Sequence, residues 1–367
     1  IMFSNVFRNK KIIVTGNTGF KGSWLTVWLL KMEAEVYGIS IDIPTKPSMF
    51  EALGLEKKIH HHYADINDLK KMTQIISEIK PDFLFHLAAQ PIVSKSYIEP
   101  IYTIQTNVVG TANILEALRI SDHVCTVVMI SSDKCYENVE WTWGYRENDH
   151  LGGKDPYSAS KGACEIIIHT YYHSFFKKED SKIRLVSVRA GNVIGGGDWA
   201  EKRLVPDCIK AWSIGHTVEI RNPYATRPWQ HVLEPLSGYL RAGEILHQDK
   251  SINGEPYNFG PPADQIHNVY EMLQQLGSYW DLTNGKEKFL INQTKTFHEA
   301  GLLKLNCDKS LAQLKWKPAL DFNNTTKLTA LWYQAFYENK KDMLAFTSDQ
   351  IDQYISFAAE KEIEWTR

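Results

Sequence analysis

Residues 10–22 constrain this chain more than any other stretch. Lys10-Lys11-Ile12-Ile13-Val14-Thr15 is a short apolar run rich in β-branched residues and reads as a buried strand. Gly16-Asn17-Thr18-Gly19-Phe20-Lys21-Gly22 follows at once, and Ser23 to Met32 carries an apolar helical pattern. Gly16 permits a tight turn, Gly19 lets backbone approach a pyrophosphate, and Gly22 allows close helix packing. Amides at the helix start face the anion, helped by the helix dipole. A strand, a glycine turn and a helix in this order make a dinucleotide-binding unit.

The alternation continues through the first half. Val36 to Ile41, Asp82 to Leu87, Val124 to Ile130 and Arg184 to Val188 read as strands. Asp65 to Ile79, entered through Asp65 or Asn67 as a cap, reads as a helix, as do Thr111 to Arg119 and Tyr157 to Phe176. Strands alternating with helices predict an α/β fold: a doubly wound parallel sheet of Rossmann type, joined by right-handed crossovers. Ligands of such sheets bind beyond the carboxyl ends of the strands. Gly16, Ala88, Ser132 and Ala190 all follow strands, so they are expected to line one crevice. Asn258-Phe259-Gly260 is expected to return the chain to the sheet.

That crevice receives the chain's chemistry. Tyr157 and Lys161 are four residues apart, on one helix face, where the ammonium favours an ionised phenol able to act as a base. Ser131-Ser132-Asp133-Lys134 closes the apolar run Val127 to Ile130 and adds a carboxylate and a second amine. A base, an acid and another amine are more proton-transfer equipment than a simple dehydrogenase needs.

The 367 residues are enough for a large core and two domains. We expect a cofactor domain over 1–190, joined by part of about 225–262. A smaller mixed α/β substrate domain is expected over 191–224 and 263–340, with a helical tail over 341–367. A formal net charge of −2 gives no reason to expect a nucleic-acid partner. The five cysteines, Cys125, Cys135, Cys164, Cys208 and Cys307, lack paired spacing and read as reduced thiols. No apolar run approaches a membrane span and no signal-peptide pattern precedes the first strand, so a cytoplasmic location without membrane contact is expected. His60-His61-His62 suggests metal, but consecutive side chains do not converge. A solvated loop and no metal site are expected.

In the second half, Lys202, Arg203, Arg221 and Arg227 place four cations close together. Guanidinium forks fit phosphate oxygens, and ordinary surface charge is the alternative. Trp199, Tyr224 and Trp229 are candidates to stack on a base or sugar, against core packing.

Together these motifs resemble the extended short-chain dehydrogenase/reductases, and within them the nucleotide-sugar 4,6-dehydratases. The resemblance runs from about Lys10 to about Leu320 and includes His86-Leu87-Ala88-Ala89-Gln90, Asn107 and Arg189-Ala190-Gly191-Asn192. It implies bound NAD, contacted by Gly16, Asn17, Thr18, Gly19, Phe20, Lys21 and Gly22. Asp65 is similar to the carboxylate that reads the adenine amino group, with Ile66 beside it. Leu87, Ala88, Ala89, Gln90, Asn107, Tyr157 and Lys161 would complete the cofactor site. Asn192 and Arg227 match positions that hold a sugar nucleotide's diphosphate, and Gln90, Arg203, Leu204 and Arg221 join them as expected substrate contacts. The resemblance also implies a mechanism. Tyr157 takes the C4 hydroxyl proton, Ser132 holds the C4 oxygen, and a protonated Asp133 releases the C6 hydroxyl.

Two departures refine it. Most members carry glutamate as the C5 base where this chain has Lys134. Ser-Asp-Lys-Cys-Tyr with Gly-Phe-Lys-Gly-Ser-Trp resembles the branch acting on CDP-glucose, whose product feeds dideoxysugar and lipopolysaccharide synthesis. A lysine serves as base only when burial or nearby cations lower its pKa. The usual ribose-reading carboxylate is replaced by Ser40. Strand alternation puts Asp42 on the same side as a substitute, whereas Ser40 with Lys46 would tolerate a 2′-phosphate. NAD remains the expectation, since the cycle regenerates it in place. An epimerase or reductase would keep Tyr157 and Lys161 without needing Asp133 and Lys134, and a non-enzymatic scaffold would need neither pair. Helices around Thr103 to Arg119 and Tyr157 to Phe176 are expected to pair in a homodimer or a dimer of dimers, as in relatives.

Overall fold

The computed structural model describes residues 2–220, 222–280, 287–292, 303–338 and 342–367. Seven parallel strands form the central sheet: β1 (Lys11–Thr15), β2 (Glu35–Ser40), β3 (His60–Tyr63), β4 (Phe83–His86), β5 (Cys125–Ile130), β6 (Ile183–Ala190) and β7 (Pro256–Phe259). Their order is β7-β6-β5-β4-β1-β2-β3, so the winding reverses between β1 and β4. The crevice at such a reversal is where doubly wound sheets bind ligands.

Alternation along the strands explains their continuous apolar runs, because both faces are covered. Ile12, Val14, Phe83, Phe85, Val128, Val186 and Val188 point to one face. There they meet α1 (Phe20–Lys31) and the later helices. Ile13, Leu84, Val127, Met129 and Leu185 point to the other. That face is covered by α2 (Leu69–Ile79), α3 (Gly110–Ser121) and α4 (Pro156–Tyr171). Beyond β6 come α5 (Leu204–Ser213), α6 (Leu233–Gln248), α7 (Val269–Ser278), α8 (Phe322–Tyr337) and α9 (Met343–Glu360). Three short strand pairs accompany them: 193–194 with 230–231, 226–227 with 267–268, and 218–220 with 289–291. Among the described residues no helix is long and apolar enough to cross a membrane.

Several local expectations are corrected. His60-His61-His62 is not a solvated loop but most of β3, paired in parallel with β2; an edge strand tolerates polar residues because one side meets solvent. The cap of α2 is Asp68, whose carboxylate accepts from Lys71 N at 2.9 Å, while Asp65 accepts from Asn67 N. The long helix from Tyr157 is α-helical only to Tyr171 and continues as a π-turn over Tyr172–Phe176. Trp199 and Trp229 are buried in the core, and Tyr224 alone of the three aromatics is exposed.

The carboxy-terminal helix is fastened to the sheet domain. Trp365 stacks on Phe3 with ring centroids 4.8 Å apart, and Tyr354 is fully buried. Tyr354 Oη donates to Glu234 at 2.7 Å, and Leu320 N donates to the same carboxylate at 2.6 Å. Burial raises the Glu234 pKa from 4.5 to about 7, against the pull of Leu320 N, Tyr354 and Ala319 N. A carboxyl raised in the folded state holds its proton more tightly there than when unfolded. Its contribution is therefore full below about pH 4.5 and is lost as pH rises through about 7. Glu234→Gln should flatten that part of the stability profile, measured by urea unfolding at intervals between about pH 4 and 8.

Candidate active site

The first wall of the crevice is the glycine turn. Gly16 has φ +74°, and a Cβ there would lie 2.8 Å from Ala88 N. A Cβ on Gly22 would lie 2.1 Å from Gly16 O, so both glycines are demanded by close approach. No side chain caps α1, and its first amides, at Phe20, Lys21 and Gly22, are left to face an anion. The turn thus fits a dinucleotide's pyrophosphate.

Behind it stands a satisfied polar column. Leu87 N and Ala88 N both donate to Thr15 Oγ1 at 3.1 Å, so Thr15 gives its own proton to His86 Nδ1 at 2.8 Å. The His86 ring proton then faces Thr111 Oγ1 at 3.2 Å. Burial, aided by Lys161, lowers the His86 pKa to about 3, so the ring is neutral at pH 7.

Several residues expected to touch the cofactor are hydrogen-bonded or packed within the protein around the turn and the segment after β4. Asn17 is fully buried, accepts from Ser40 Oγ at 2.8 Å and lies 3.1 Å from His61 Nδ1. Thr18 N donates to Ser40 Oγ, and Thr18 Oγ1 donates to Asp42 O at 2.7 Å. β2 ends at Ser40, so strand alternation does not carry to the exposed Asp42. Ile66 packs in the core against Gly110. Gln90 and Asn107 bind each other: Gln90 N donates to Asn107 Oδ1 at 2.7 Å, and Asn107 Nδ2 reaches Ser160 Oγ at 2.9 Å. Their amides fix the segment after β4 against α4. Asp65, Leu87, Ala88 and Ala89 remain partly exposed around the crevice.

Ser132, Asp133 and Lys134 turn just after β5. Ser132 Oγ donates to Asp133 Oδ1 at 2.9 Å and accepts from Lys134 N at 3.2 Å. Asp133 is buried against Gly191, where a Cβ would lie 1.9 Å from its carboxylate. Asp155 caps α4 by accepting from Ser158 N at 3.0 Å, which starts the helix at Pro156, one residue before Tyr157. Tyr157 and Lys161 are both buried, with Lys161 Nζ 5.9 Å from the Tyr157 ring centre.

The two segments are joined beneath by a buried ion pair. Arg189 Nη2 donates to Glu165 Oε2 at 2.9 Å, and both side chains are 3 % exposed. Ser131 and Ser187 also donate to Glu165. Arg189 Nη1 reaches Tyr136 Oη at 2.6 Å. Burial opposes the charge on Glu165, but Arg189 and the two serines outweigh it and lower its pKa.

Across the crevice, Arg203 Nη1 donates to Asp198 Oδ2 at 2.8 Å, and Leu204 opens α5. Burial works against the Arg203 charge, and Asp198 more than restores it. Asn192, at φ +52°, lines a small crevice with Asp133, Gly191, Gln230 and Gly260. Arg227 lies in the strand pair with His267–Asn268, and Arg221 lies outside the described residues. Gln230, Asp198 and Tyr239 were not singled out by sequence. Gln230 donates to Gly191 O and Phe259 O, holding the crevice floor. No spacing signals Gln230 or Tyr239, whose partners Gly191 and Lys21 are distant in the chain, while Asp198 pairs with Arg203 five residues on.

Comparison with known proteins shows the family and the fold. The sequence family described as GDP-mannose 4,6 dehydratase matches residues 13–329. The CDP-glucose 4,6-dehydratase of Salmonella typhimurium is 43 % identical over 355 residues, covering 96 % of this chain and 98 % of that protein. The UDP-glucose 4-epimerase of Mycoplasma pneumoniae is 23 % identical over 343 residues, covering 89 % and 97 %. The fold is shared with the dTDP-glucose 4,6-dehydratase of Streptomyces venezuelae solved with NAD and TYD bound. There the TM-score is 0.73 at 20 % identity, covering 91 % of this chain and 99 % of that one.

Removing one partner of the buried pair strands the other charge. Arg189→Met should cost about 3–5 kcal/mol of folding stability, read from the urea midpoint.

Proposed function

The chain belongs to the GDP-mannose 4,6 dehydratase family, and on that premise we propose that it converts CDP-glucose to CDP-4-keto-6-deoxy-glucose and water. The observation that carries this reading is Asp133, a buried carboxylate bonded by Ser132 in the turn that packs on α4, the helix of Tyr157 and Lys161. A 4-epimerase needs the Tyr157–Lys161 pair but has no water to eliminate.

Bound NAD supplies the hydride acceptor at C4 and the donor at C6. Tyr157, with Lys161 Nζ 5.9 Å from its ring centre, takes the C4 hydroxyl proton. Ser132 holds the C4 oxygen. The resulting ketone makes the C5 proton acidic, because the carbanion becomes an enolate. Asp133 then protonates the departing C6 hydroxyl, which leaves as water. We assign Asn192, Arg203, Arg227 and Leu204 to the nucleotide diphosphate, and Gln90 to the substrate. Ser40, braced within the turn, supports the cofactor loop, and we assign the ribose to Asp42.

Residues 1–190, completed by β7, serve as the cofactor domain, and 191–224 with 263–340 serve the substrate. The described part of the tail, 342–367, packs against α1 and Phe3. CDP-hexoses and NAD are cytoplasmic metabolites, so the reaction belongs in the cytoplasm, ahead of dideoxysugar synthesis for lipopolysaccharide. A second copy of the chain is the expected partner. Ile98, Ile101, Ile104 and Val109 are exposed near the start of α3, and Ile166 and Phe175 are exposed along α4 and its π-turn. These apolar side chains suit a four-helix contact between two copies.

Incubation with CDP-glucose and NAD should yield a product with the alkali-induced absorbance of a 4-keto sugar. Recovery of a 4-epimer, or turnover only with TDP- or GDP-hexoses, would overturn the assignment. Ile101→Glu with Ile166→Glu should halve the mass seen by light scattering if the apolar helices pair copies, and an unchanged mass would remove that interface.

A further inference from the structure

A buried acceptor that no protein group satisfies marks a place where a ligand's donor belongs. Gln230 supplies one. It is 2 % exposed, and its Oε1 has no hydrogen-bond partner among the described residues. The other end of the amide faces two carbonyls, Gly191 O at 3.1 Å and Phe259 O at 2.9 Å, which only an NH2 group can satisfy together. The oxygen is therefore the end left over.

The backbone gives this side chain little freedom. Gln230 N donates to Asn192 O at 3.1 Å, and Gln230 pairs with Val193 in a short parallel strand pair. Gly191 links Gln230 to Asp133. Its carbonyl accepts from Gln230 Nε2, and a Cβ on it would lie 1.9 Å from Asp133 Oδ2. Ser132 donates to the other oxygen of that carboxylate, Oδ1.

Asp133 and Gln230 line one crevice of about 180 Å³, with Asn192 beside them. Its enclosed part has room for about one water-sized group. Pro261, Leu303 and Leu305 add an apolar wall. Gln230 also borders a gap toward Glu234 and Leu320, which has no room for such a group. A hydroxyl carried on a methylene fits the crevice: the oxygen meets Asp133, its proton meets Gln230, and the methylene meets the leucines.

We propose that Gln230 Oε1 accepts the proton of the substrate's C6 hydroxyl and so orients the group that Asp133 expels. This rests on the dehydratase reading above, which puts the C6 oxygen at Asp133. Before elimination the hydroxyl oxygen accepts from protonated Asp133 while its own hydrogen points to Gln230. The C5 proton passes to the base, for which the sequence offers Lys134, and the C5–H electron pair becomes the C5–C6 double bond. The C6–O bond breaks with its pair on oxygen, which takes the Asp133 proton and leaves as water. That water keeps its bond to Gln230 and turns its new O–H to the Asp133 carboxylate, so both its donors are satisfied. The methyl group formed when the hydride reaches C6 stays against Leu303 and Leu305.

Binding is measured by calorimetry on protein loaded with reduced cofactor, which cannot take the C4 hydride and leaves CDP-glucose intact. The comparison ligand is CDP-6-deoxy-6-fluoroglucose, whose fluorine has no proton to give Gln230. The wild type should favour CDP-glucose by about tenfold or more, because the fluoro compound leaves a buried acceptor unpaired. Gln230→Met keeps the length and removes the acceptor, so that preference should shrink by about fivefold or more. A merely structural role would weaken both ligands alike and leave their ratio standing. Gln230→Asn withdraws the amide by one methylene and is the deciding variant if Gln230→Met does not fold. With oxidised cofactor, Gln230→Met should still show the reduced-nicotinamide absorbance of C4 oxidation while the 4-keto-6-deoxy sugar forms at least about tenfold more slowly.

A wild type that binds the two ligands equally would overturn the proposal. So would an unchanged preference in Gln230→Met, or in Gln230→Asn where the former does not fold. Wild-type protein that yields no 4-keto sugar from CDP-glucose and NAD would remove the dehydratase reading, and this assignment with it.

Discussion

The buried pair of Arg189 and Glu165 is the constraint on which the rest of the site depends. Glu165 lies one helical turn past Lys161, and Arg189 lies two residues before Gly191, against which Asp133 packs. Ser131, at the end of β5, and Ser187, within β6, complete the coordination of the same carboxylate. One ion pair therefore fixes α4, the turn after β5 and the end of β6 relative to one another. Such a pair is a poor source of net stability, because desolvating two charges offsets most of their attraction. Its value here is geometric: the groups assigned to oxidation and to elimination have no other shared support as direct as this.

A second constraint is close backbone approach. Gly16, Gly22 and the Leu87–Ala88 segment are pressed together so tightly that a methyl group on either glycine would meet backbone. Thr15 and a neutral His86 satisfy the amides this packing buries. A protonated His86 would place another cation near Lys161, so its neutrality belongs to the same electrostatic design as the site.

What the sequence revealed follows from which interactions are local. The glycine turn, the Tyr157–Lys161 pair and the strand-helix alternation are written in short spacings, and they recur in the structure where the spacing puts them. Sequence puts the cap at Asp65 or Asn67 and misses Asp68, because the three are not separable by type and only the hydrogen bond to Lys71 N decides among them. β3 was hidden because its histidines are polar and lie at a sheet edge. The inward roles of Asn17, Ser40, Gln90 and Asn107 were equally hidden, because each is defined by a partner 17 to 44 residues away. The chain shows these residues but not their partners.

The same reasoning separates the two amines that flank the chemistry. Lys134 is conspicuous in sequence because it stands next to Asp133, and adjacency along the chain suggests cooperation. Adjacent residues on a short turn project in different directions, however, and nearness in sequence does not place two side chains in one field. Lys21 lies in a motif whose backbone has an evident use, which conceals its side chain. Its environment is assembled from Asp133, Lys161, Asp198 and Arg203, groups that come together only when β5, α4 and the segment before α5 are folded against α1. The lowered pKa of Lys21 is thus a tertiary property: burial and neighbouring charge create it, and no local pattern can encode either.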